Sequence, residues 1–347
     1  MSYKKHQIEH TASIKEALAK LDILAQDAIL FITENEHLIG SLTDGDIRRA
    51  LLKGVQLDEL VVKAANANPK YLVEGENNTE LLEQYREKNY KIVPVVDANK
   101  KLLDVINFRI TRSRLPIEVV IMAGGKGERL RPLTEKIPKP LLPVGDKPIM
   151  QHNLDAMKYF GIRKAWISIN YLAEQIEAFI EDYSTPNFEI NTVKESFPMG
   201  TIGSIQLVPN FESDYIMVSN SDLLTNVDYE HFFDDFIKSG ADLSVVSIPY
   251  NVDVPYAIFE LNDGIVSDFK EKPTYTYFAN GGIYLMHKSI LQLIPSNEFF
   301  TATDLMESLL KQGKKIRSYP HQGYWLDIGK HEDYKRASED IKNIKLY

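Results

Sequence analysis

Apolar, strand-like segments alternate with amphipathic, helix-like segments from residue 117 onward, and this alternation constrains the fold more than any other feature. Apart from Glu118, the segment IEVVIMA is apolar without alternation, as strands buried on both faces are. It is followed by PIMQHNLDAMKYFG, KAWISIN, LAEQIEAFIEDY, DYIMVSN, YEHFFDDFIKSG and ADLSVVSIPY, which are alternately typical of helix and strand. Because such strands are joined by right-handed helical crossovers, we predict an α/β fold with a mainly parallel sheet flanked by helices.

Before residue 115 the segments are shorter and repeat weakly at a spacing of about 60 residues. A helix (SIKEALAKLDIL), two strands (AILFITE and HLIGSLT) and a helix (DGDIRRALLKG) come first, and NTELLEQYREKN, KIVPVVD and KLLDVINF follow as a helix and two strands. We expect Asp44 or Asp46 to cap the DGDIRRALLKG helix and Gly54 to end it. A chain of 347 residues is too long for one ordinary domain, so we predict an N-terminal region of residues 1–114 and a C-terminal domain of residues 116–347.

Composition excludes several classes of function. The formal net charge of −9 argues against nonspecific binding to nucleic acid or to an anionic membrane surface. The absence of cysteine excludes disulfides, thiolate catalysis and thiolate metal sites. No stretch is apolar enough for a bilayer span, and the first residues lack the apolar run of a signal peptide, so we expect a cytoplasmic protein.

The loop MAGGKGERLRPLTEKIPKPLLPVGDK, residues 122–147, is locally basic in this acidic chain. It holds six Lys or Arg residues against three acids, together with four glycines and four prolines. Glycine lets backbone N–H groups approach an anion closely, and the flanking prolines hold the backbone of Lys139 extended. The loop contains neither GxxxxGK[ST] nor GxGxxG. It follows the first buried strand, where ligands of parallel sheets bind, so an anion site is favoured over a solvated basic loop.

The segments GGKGERLRPLT and PKPLLPV closely resemble the signature of sugar-1-phosphate nucleotidyltransferases, usually written GGxGTRLxPLT…PKPLxPV. The resemblance implies a Rossmann-like, mixed sheet whose glycine loop cradles a nucleoside triphosphate. It assigns the departing pyrophosphate to Arg129 and phosphate contacts to Lys139. The loop backbone of the nucleotide site corresponds to three glycines, Gly124, Gly125 and Gly127. Glu128 replaces the usual threonine at a position that contributes mainly backbone.

Five later segments resemble further motifs of that family, in the same order along the chain: PMGTIGSI, VSNSDLL, FKEKP, FANGGIYLM and YWLDIGKHEDY. Each is weak alone, since an isolated aspartate after a strand is more often a helix cap than a ligand. Their order after the long signature makes coincidence a poor explanation. The resemblance assigns Gly200 and Thr201 to the nucleotide, Asp222 and Asp327 to the metal, Lys272 to the sugar phosphate, and Glu271, Asn280 and Gly281 to the sugar.

The resemblance implies an enzyme that makes a nucleotide-sugar and pyrophosphate from a nucleoside triphosphate and a sugar 1-phosphate with Mg²⁺. The combined architecture is most similar to guanylyltransferases acting on hexosamine or mannose 1-phosphates for surface glycans, which favours GTP. Thymidylyl-, uridylyl- and cytidylyltransferases share the signature and remain alternatives. A non-catalytic protein that senses nucleotides is a further alternative, against which the complete set of catalytic residues argues.

The segment GSLTDGDIRRALLKG resembles the end of a cystathionine-β-synthase-type (CBS) motif. This resemblance implies an α+β pair of CBS modules at about residues 1–62 and 63–114, which often bind adenine nucleotides and dimerise. Thr43 and Asp46 match the residues that bind a ribose in such modules, so we expect a regulatory nucleotide there. Because paired CBS modules often dimerise, we also expect a homo-oligomer. The second copy lacks the TDGD element, so we expect at most one such site. A turn and helix cap is the alternative role of Thr43 and Asp46.

Overall fold

The computed structural model describes residues 3–185 and 187–347. The chain divides into two compact units: the first contains the residues up to Pro116 together with Lys158–Ile162, and the second contains Ile117–Met157 and Arg163–Tyr347. Each unit has hydrophobic clusters of its own. Within residues 3–185 and 187–347, every helix is too short or too polar to span a bilayer.

The first unit contains two small sheets with the same connectivity, in the orders β1-β2-β3 and β4-β5-β6. In each sheet the first two strands are parallel and the last two form an antiparallel hairpin. This shared connectivity is the structural counterpart of the weak sequence repeat. The elements are β1 (Gln7–Glu9), α1 (Ile14–Leu24), β2 (Leu30–Glu34), β3 (His37–Leu42), α2 (Asp44–Leu52), β4 (Leu72–Val73), α3 (Thr79–Glu87), β5 (Ile92–Val96) and β6 (Leu102–Asn107).

The cap of α2 differs from the one expected from the sequence. Thr43 is the N-cap residue, and its hydroxyl accepts a hydrogen bond from the backbone N–H of Asp46. The carboxylate of Asp46 reaches back to the backbone N–H of Thr43, which completes a capping box. The expectation of Asp44 or Asp46 as the cap was therefore wrong by one to three residues, because either hydroxyl or carboxylate oxygens can satisfy free helical N–H groups.

The second unit alternates strands and helices around one large sheet. Its elements before the hairpin region are β7 (Ile117–Met122), β8 (Pro143–Val144), β9 (Lys147–Pro148), α4 (Ile149–Tyr159), β10 (Lys164–Ile169), α5 (Ala173–Tyr183), β11 (Glu189–Lys194), β12 (Tyr215–Asn220), β13 (Leu223–Thr225) and α6 (Tyr229–Ser239). The remaining elements are β14 (Leu243–Asp253), β15 (Ile258–Asn262), β16 (Ile265–Lys270), β17 (Thr274–His287), α7 (Ala302–Lys311), β18 (Ile316–Pro320), β19 (Trp325–Asp327) and α8 (His331–Asp340).

The large sheet is mixed and has the order β11-β10-β7-β12-β17-β14-β18. The pairs from β11 to β12 are parallel, β17 is antiparallel to both of its neighbours, and β18 is parallel to β14. The first strand of this sheet, β7, lies between β10 and β12. The strands β10 and β11 are added on one side of β7, and the strands from β12 onward are added on its other side. Ligands of α/β sheets bind at such a switch point, beyond the carboxyl ends of the strands.

Burial explains why β7 is apolar without alternation, apart from Glu118. Every residue of Ile117–Ile121 is buried, because helices cover the sheet on both faces. Glu118 is the polar member of this run, and its carboxylate accepts hydrogen bonds from the Trp166 indole N–H and the Ser213 backbone N–H. The strand therefore provides a rigid base for the loop that begins at Ala123.

Candidate active site

The loop after β7 is held in shape largely by its glycines. Gly127 has φ of 62°, and a methyl group there would lie 2.9 Å from Thr134 Cγ2. The Thr134 hydroxyl in turn donates a hydrogen bond to the Gly127 carbonyl at 2.8 Å. A methyl group on Gly124 would lie 2.8 Å from Glu195 Oε1, whereas one on Gly125 would meet no described protein atom within 4 Å. Packing therefore accounts for Gly124 and Gly127, and Gly125 leaves open space for a ligand.

Four charged side chains predicted from distant parts of the sequence meet beside this loop. The buried Lys139 ammonium forms an ion pair with Asp222, which follows β12. The backbone carbonyl of Asp222 accepts a hydrogen bond from the N–H of Ile328 at 3.0 Å, which ties the β12 end to the residue after Asp327. The Arg129 guanidinium packs against Gly329, and its charge acts on Asp327. The structure thus places Arg129, Lys139, Asp222 and Asp327 in one site.

The pairing of β13 with β19 positions the two carboxylates. Leu223 lies opposite Asp327 in this antiparallel pair. Asp222 is the residue just before Leu223, so it lies next to the position across from Asp327. Burial raises the pKa of Asp327, and the nearby negative charge of Asp222 raises it further. The charges of Lys139 and Arg129 oppose this increase in pKa. The site therefore holds two acids close together, with two cations compensating their charge.

Asp222 and Asp327 fit a divalent cation. The Oδ1 atom of Asp327 is buried, and no described residue donates a hydrogen bond to it. Leaving a carboxylate oxygen buried without a partner is costly, and a cation would supply the missing partner. Among the described residues there is no group of three or more His, Asp or Glu that could hold a metal ion. A two-carboxylate site of this kind suits Mg²⁺, which completes its shell with water and phosphate oxygens.

Gly200 and Thr201 lie in the loop after β11, at the same edge of the sheet. Gly200 has φ of 81°, and a methyl group there would lie 2.4 Å from the Phe300 carbonyl oxygen. The Thr201 hydroxyl accepts a hydrogen bond from the Ala302 N–H at 2.9 Å, at the start of α7. Both residues thus have a structural role that the sequence did not indicate. Their assignment to the nucleotide site stays a prediction.

Asn280 and Gly281 lie on β17, where the strand approaches β14 and β19. The Asn280 amide donates to the Tyr284 hydroxyl at 2.8 Å, and its oxygen accepts from the Gly282 N–H at 2.9 Å. The Gly281 carbonyl accepts from the Trp325 indole N–H at 2.9 Å. This last bond links β17 to the strand that ends at Asp327. Of these two residues, Gly281 is therefore linked through Trp325 to β19, the strand that ends at Asp327.

Glu271 and Lys272 occupy the exposed turn between β16 and β17. Lys272 adopts a left-handed backbone conformation with φ of 43°. No described residue forms a hydrogen bond or ion pair with either side chain, so the structure does not join them to the four-residue cluster. Both charged ends are available to a ligand.

Sequence reasoning missed Glu195, a buried acid that follows β11. Its Oε1 accepts a hydrogen bond from the Ser168 hydroxyl at 2.5 Å, and its Oε2 accepts from the Met199 N–H at 3.2 Å. Gly124 packs directly against it. The carboxylate still has lone pairs free, and it lies where β7, β10 and β11 end. A single acid after a predicted strand gave no distinctive pattern, and only the alignment of strand ends reveals its position.

The model of the nucleotidyl transferase family matches residues 118–344. The chain belongs to the nucleotidyl transferase family. The match covers the second unit, which carries all the predicted residues from Gly124 to Asp327. It begins after Pro116 and covers none of residues 1–114, so the CBS resemblance stays a prediction.

Several relatives show the range of activities in this family. Over 255 residues the chain is 28% identical to a UTP–glucose-1-phosphate uridylyltransferase of Synechocystis sp., covering 66% of each chain. Over 233 residues it is 31% identical to a mannose-1-phosphate guanylyltransferase of Mycobacterium tuberculosis, covering 65% of this chain and 64% of the relative. The chain thus spans just under two thirds of these two proteins.

Two further matches align over almost the full length of the similar protein. A D-glycero-alpha-D-manno-heptose 1-phosphate guanylyltransferase of Aneurinibacillus thermoaerophilus is 29% identical over 230 residues, covering 65% of this chain and 99% of that protein. Among solved structures, HddC from Yersinia pseudotuberculosis complexed with GMP-PN is 26% identical, with a TM-score of 0.51, covering 65% of this chain and 99% of that one. The second unit therefore corresponds to a complete protein of this family.

Proposed function

We propose that this protein is a Mg²⁺-dependent sugar-1-phosphate nucleotidyltransferase that uses GTP. The observation that carries the proposal is the meeting of Arg129, Lys139, Asp222 and Asp327 beside the glycine loop, at the switch point of the sheet. These side chains come from three separate segments of sequence, and family membership agrees with this chemistry. The names of the guanylyltransferase relatives support the nucleotide.

The reaction needs charge compensation more than proton transfer. An oxygen of the sugar 1-phosphate attacks the α-phosphorus of GTP, the bond to the bridging oxygen breaks, and pyrophosphate leaves with the electron pair. The attacking phosphate oxygen is already deprotonated near neutral pH, so the step requires no strong general base. The difficulty is bringing two polyanions together, which positioned cations and backbone N–H groups overcome.

Each residue then has a separate task. Gly124 and Gly125 let the backbone approach the triphosphate, and Gly125 has the open space for it. Arg129 would neutralise charge that grows on pyrophosphate, and Lys139, the ion-pair partner of Asp222, would bind phosphate oxygens. Asp222 and Asp327 would hold Mg²⁺, which when bound neutralises phosphate charge as a Lewis acid. Lys272, whose side chain pairs with none of the described residues, would bind the sugar phosphate.

Glu195 supports the choice of guanine. Guanine presents two neighbouring N–H donors, at N1 and at the 2-amino group, and a carboxylate accepts from both. Glu195 has a buried carboxylate beside Gly124 with lone pairs unused by Ser168 and Met199. Uracil and thymine offer one such donor and a neighbouring carbonyl, which an acid would repel.

Pyrophosphate release tests the proposed function directly. Purified protein with Mg²⁺ is mixed with GTP, UTP, dTTP, CTP or ATP against mannose, glucose, glucosamine and heptose 1-phosphates. We expect release with GTP and at least one sugar 1-phosphate. Release with UTP or dTTP in place of GTP would transfer the protein to the uridylyl or thymidylyl class. Absence of release with every pair would support the nucleotide-sensing alternative.

Glu195→Gln should reduce the preference for GTP. The amide keeps the size of the side chain but replaces one acceptor with a donor, so one contact to guanine becomes repulsive. We expect kcat/KM for GTP to fall roughly 10- to 100-fold, as loss of one good contact does. ITP lacks the 2-amino group, so its kcat/KM should fall less. An equal loss for GTP and ITP would contradict a contact to that amino group, and Ser168→Ala serves as the control for local packing.

We further propose that the N-terminal unit regulates or assembles the protein rather than catalysing. None of the catalytic residues precedes Pro116. The Asp46 carboxylate is already occupied by the Thr43 N–H and hydroxyl and by Arg49 at 2.6 Å. A ribose bound there would have to displace these groups, which favours a role in assembly. Calorimetry of the full chain with AMP, ATP, GMP and GTP, using the Asp46→Ala variant to subtract binding at the active site, distinguishes the two roles.

Thr43→Ala should lower the free energy of unfolding by about 1 kcal/mol, the usual cost of removing an N-cap. The substitution removes the oxygen that accepts from the Asp46 N–H and half of the capping box. Thr43→Ser keeps the hydroxyl and should be close to wild type. Chemical denaturation followed by circular dichroism measures both. Equal stability of the alanine and serine variants would show that the cap contributes nothing.

A further inference from the structure

The hairpin of β15 and β16 is amphipathic, with its apolar face exposed. Phe259 pairs with Phe269 across the two strands, and Leu261 pairs with Val266, so all four side chains lie on one face. Their exposed fractions are 58%, 59%, 63% and 50%. The opposite face carries the ion pair between Glu260 and Lys270. Antiparallel sheets with this pattern ordinarily pack the apolar face against something and leave the polar face in water.

The neighbouring ribbon, formed by the last part of β14 and the first part of β17, also exposes apolar side chains on one face, and its opposite face carries the exposed Phe278. Tyr250 pairs with Tyr277, and Val252 lies on the same face two residues along. These side chains are 63%, 60% and 38% exposed. On the opposite face, Asn251 and Thr276 join through a side-chain hydrogen bond of 2.8 Å. The ribbon therefore carries a second exposed aromatic face, on the two strands that lead into and out of the hairpin.

This region lacks a core in a single copy of the chain. In this fully described stretch, no residue from 248 to 280 is buried. Among the described strands, β15 and β16 pair only with each other, so the outer edge of each is free. An isolated two-stranded hairpin is only marginally stable in water, and a free apolar edge is a template for pairing with another chain. The hairpin and ribbon thus have the features of a surface that is covered in the native protein.

We propose that this surface, the apolar faces of the β15–β16 hairpin and of the β14–β17 ribbon, is the contact between two copies of this chain. An aromatic residue has roughly 150–250 Å² of surface and the smaller apolar ones have less, so at the exposed fractions given above the seven side chains together present roughly 700 Å². A stable pair of proteins needs about 800 Å² from each partner. The surface therefore matches one half of a symmetric interface in area.

The chemistry of the surface also fits a second copy. The faces carry only apolar and tyrosine side chains, so two identical faces meet without opposing like charges. The charged residues Glu260, Asp268 and Lys270 lie on or beside the other face and stay hydrated. Tyrosine and phenylalanine are the residues most enriched at the centres of such interfaces. The two copies are related by a twofold axis that passes near the hairpin.

The contact would have a consequence for the active site. Glu271 and Lys272 directly follow β16, so an interface that immobilises the hairpin also fixes where these side chains lie. This consequence rests on the proposed function, whereas the association itself does not. The mass of the particle and the KM for sugar 1-phosphate therefore test the two statements separately.

Sedimentation velocity of the full chain tests the interface. Phe259→Ser with Phe269→Ser should halve the molar mass relative to wild type. The matched control, Glu260→Ser with Asp268→Ser, changes the facing pair on the polar side and should keep the wild-type mass. Circular dichroism checks folding, which exposed positions should not disturb. An unchanged mass in the phenylalanine variant, or a monomeric wild type, would overturn the proposal.

The absence of cysteine allows a second, independent measurement. One cysteine is introduced at Phe269 or, as the control, at Asp268, and the folded protein is treated with a short bismaleimide. Each variant has a single cysteine, so the reagent can join only two separate copies of the chain. F269C should therefore give a covalent dimer, and D268C should give little of it. If the hairpin instead packs on its own chain, Phe269→Cys will be protected from the reagent without forming a dimer. That result, or equal cross-linking of both variants, contradicts a twofold contact.

Discussion

Replacing Asp327 by asparagine should lower kcat at least about 100-fold with little effect on folding. Its Oδ1 is buried and accepts no hydrogen bond from the described residues, so its role is toward a group that binds there. Asparagine preserves size and removes the charge that would hold Mg²⁺ in the proposed function. Loss of one group that stabilises transition-state charge typically costs 10²- to 10³-fold. Pyrophosphate release at saturating GTP and sugar 1-phosphate, over a titration of Mg²⁺, measures the effect.

The pKa of Asp327 predicts how the stability of this variant behaves. Burial and the Asp222 charge raise the pKa, which means that the folded state disfavours the ionised form. A carboxyl whose pKa is raised on folding stabilises the protein below its unfolded pKa, and this contribution is lost as the pH rises through the folded pKa. Asparagine carries no charge, so in metal-free buffer near pH 7 the free energy of unfolding should stay equal or increase. A large decrease would indicate a structural role instead.

Asp222→Asn should lose turnover to a similar extent but should also lose stability. Asp222 is the ion-pair partner of the buried Lys139, and removing its charge leaves that ammonium with a weaker partner. A decrease of roughly 1–3 kcal/mol in unfolding free energy follows. The matched control is Glu128→Gln, which changes an exposed acid in the loop that contains Lys139. This variant should keep the wild-type rate. Near-wild-type turnover of both aspartate variants at high Mg²⁺ would refute the metal assignment.

The fold of the second unit was predictable as far as its strands are buried. β7, β10 and β12 are apolar runs separated by amphipathic helices, and such patterns determine a parallel sheet. The antiparallel direction of β17 followed from no local pattern, because side chains alternate in the same way in either direction. The β15–β16 hairpin was missed for a different reason. Its signal is short, since IFELN and IVSDFK alternate around the pair Asp263–Gly264, and in a single chain its apolar side chains lie exposed.

The site was predictable where its residues lie in one continuous signature. Arg129 and Lys139 are ten positions apart in a loop rich in glycine and proline, and the structure keeps them beside the predicted aspartates. Glu195 was not found, because one acid after a strand resembles many others. The resemblance of PMGTIGSI to a family motif assigned Thr201 to the nucleotide. The sequence could not show that its hydroxyl accepts a hydrogen bond from the start of α7. Local sequence reveals a residue type and a neighbourhood, whereas tertiary contacts decide which atoms remain free.

Arg129→Ala should act mainly on kcat, with a loss of roughly 10²- to 10³-fold, the usual cost of removing one donor to developing charge. Its guanidinium lies against Gly329 beside Asp327, where it can meet charge that grows as pyrophosphate leaves. An interaction made more strongly in the transition state than in the ground state appears in kcat. Lys136→Ala, an exposed lysine of the same loop, is the control and should leave both constants near wild type.

Lys272→Ala should act mainly on the KM for sugar 1-phosphate, raising it roughly 10-fold, as loss of one charge-assisted hydrogen bond does. Lys272 has no ion-pair partner among the described residues, so its charge is available to the phosphate of the acceptor. That phosphate carries its charge before and during the reaction, so the contact is uniform and leaves kcat almost unchanged. Lys270→Ala, two residues earlier and paired with Glu260, is the control. If Lys272→Ala reduced kcat while Arg129→Ala raised KM, the two roles would be reversed: the lysine would face the reacting phosphorus and the arginine would bind the acceptor.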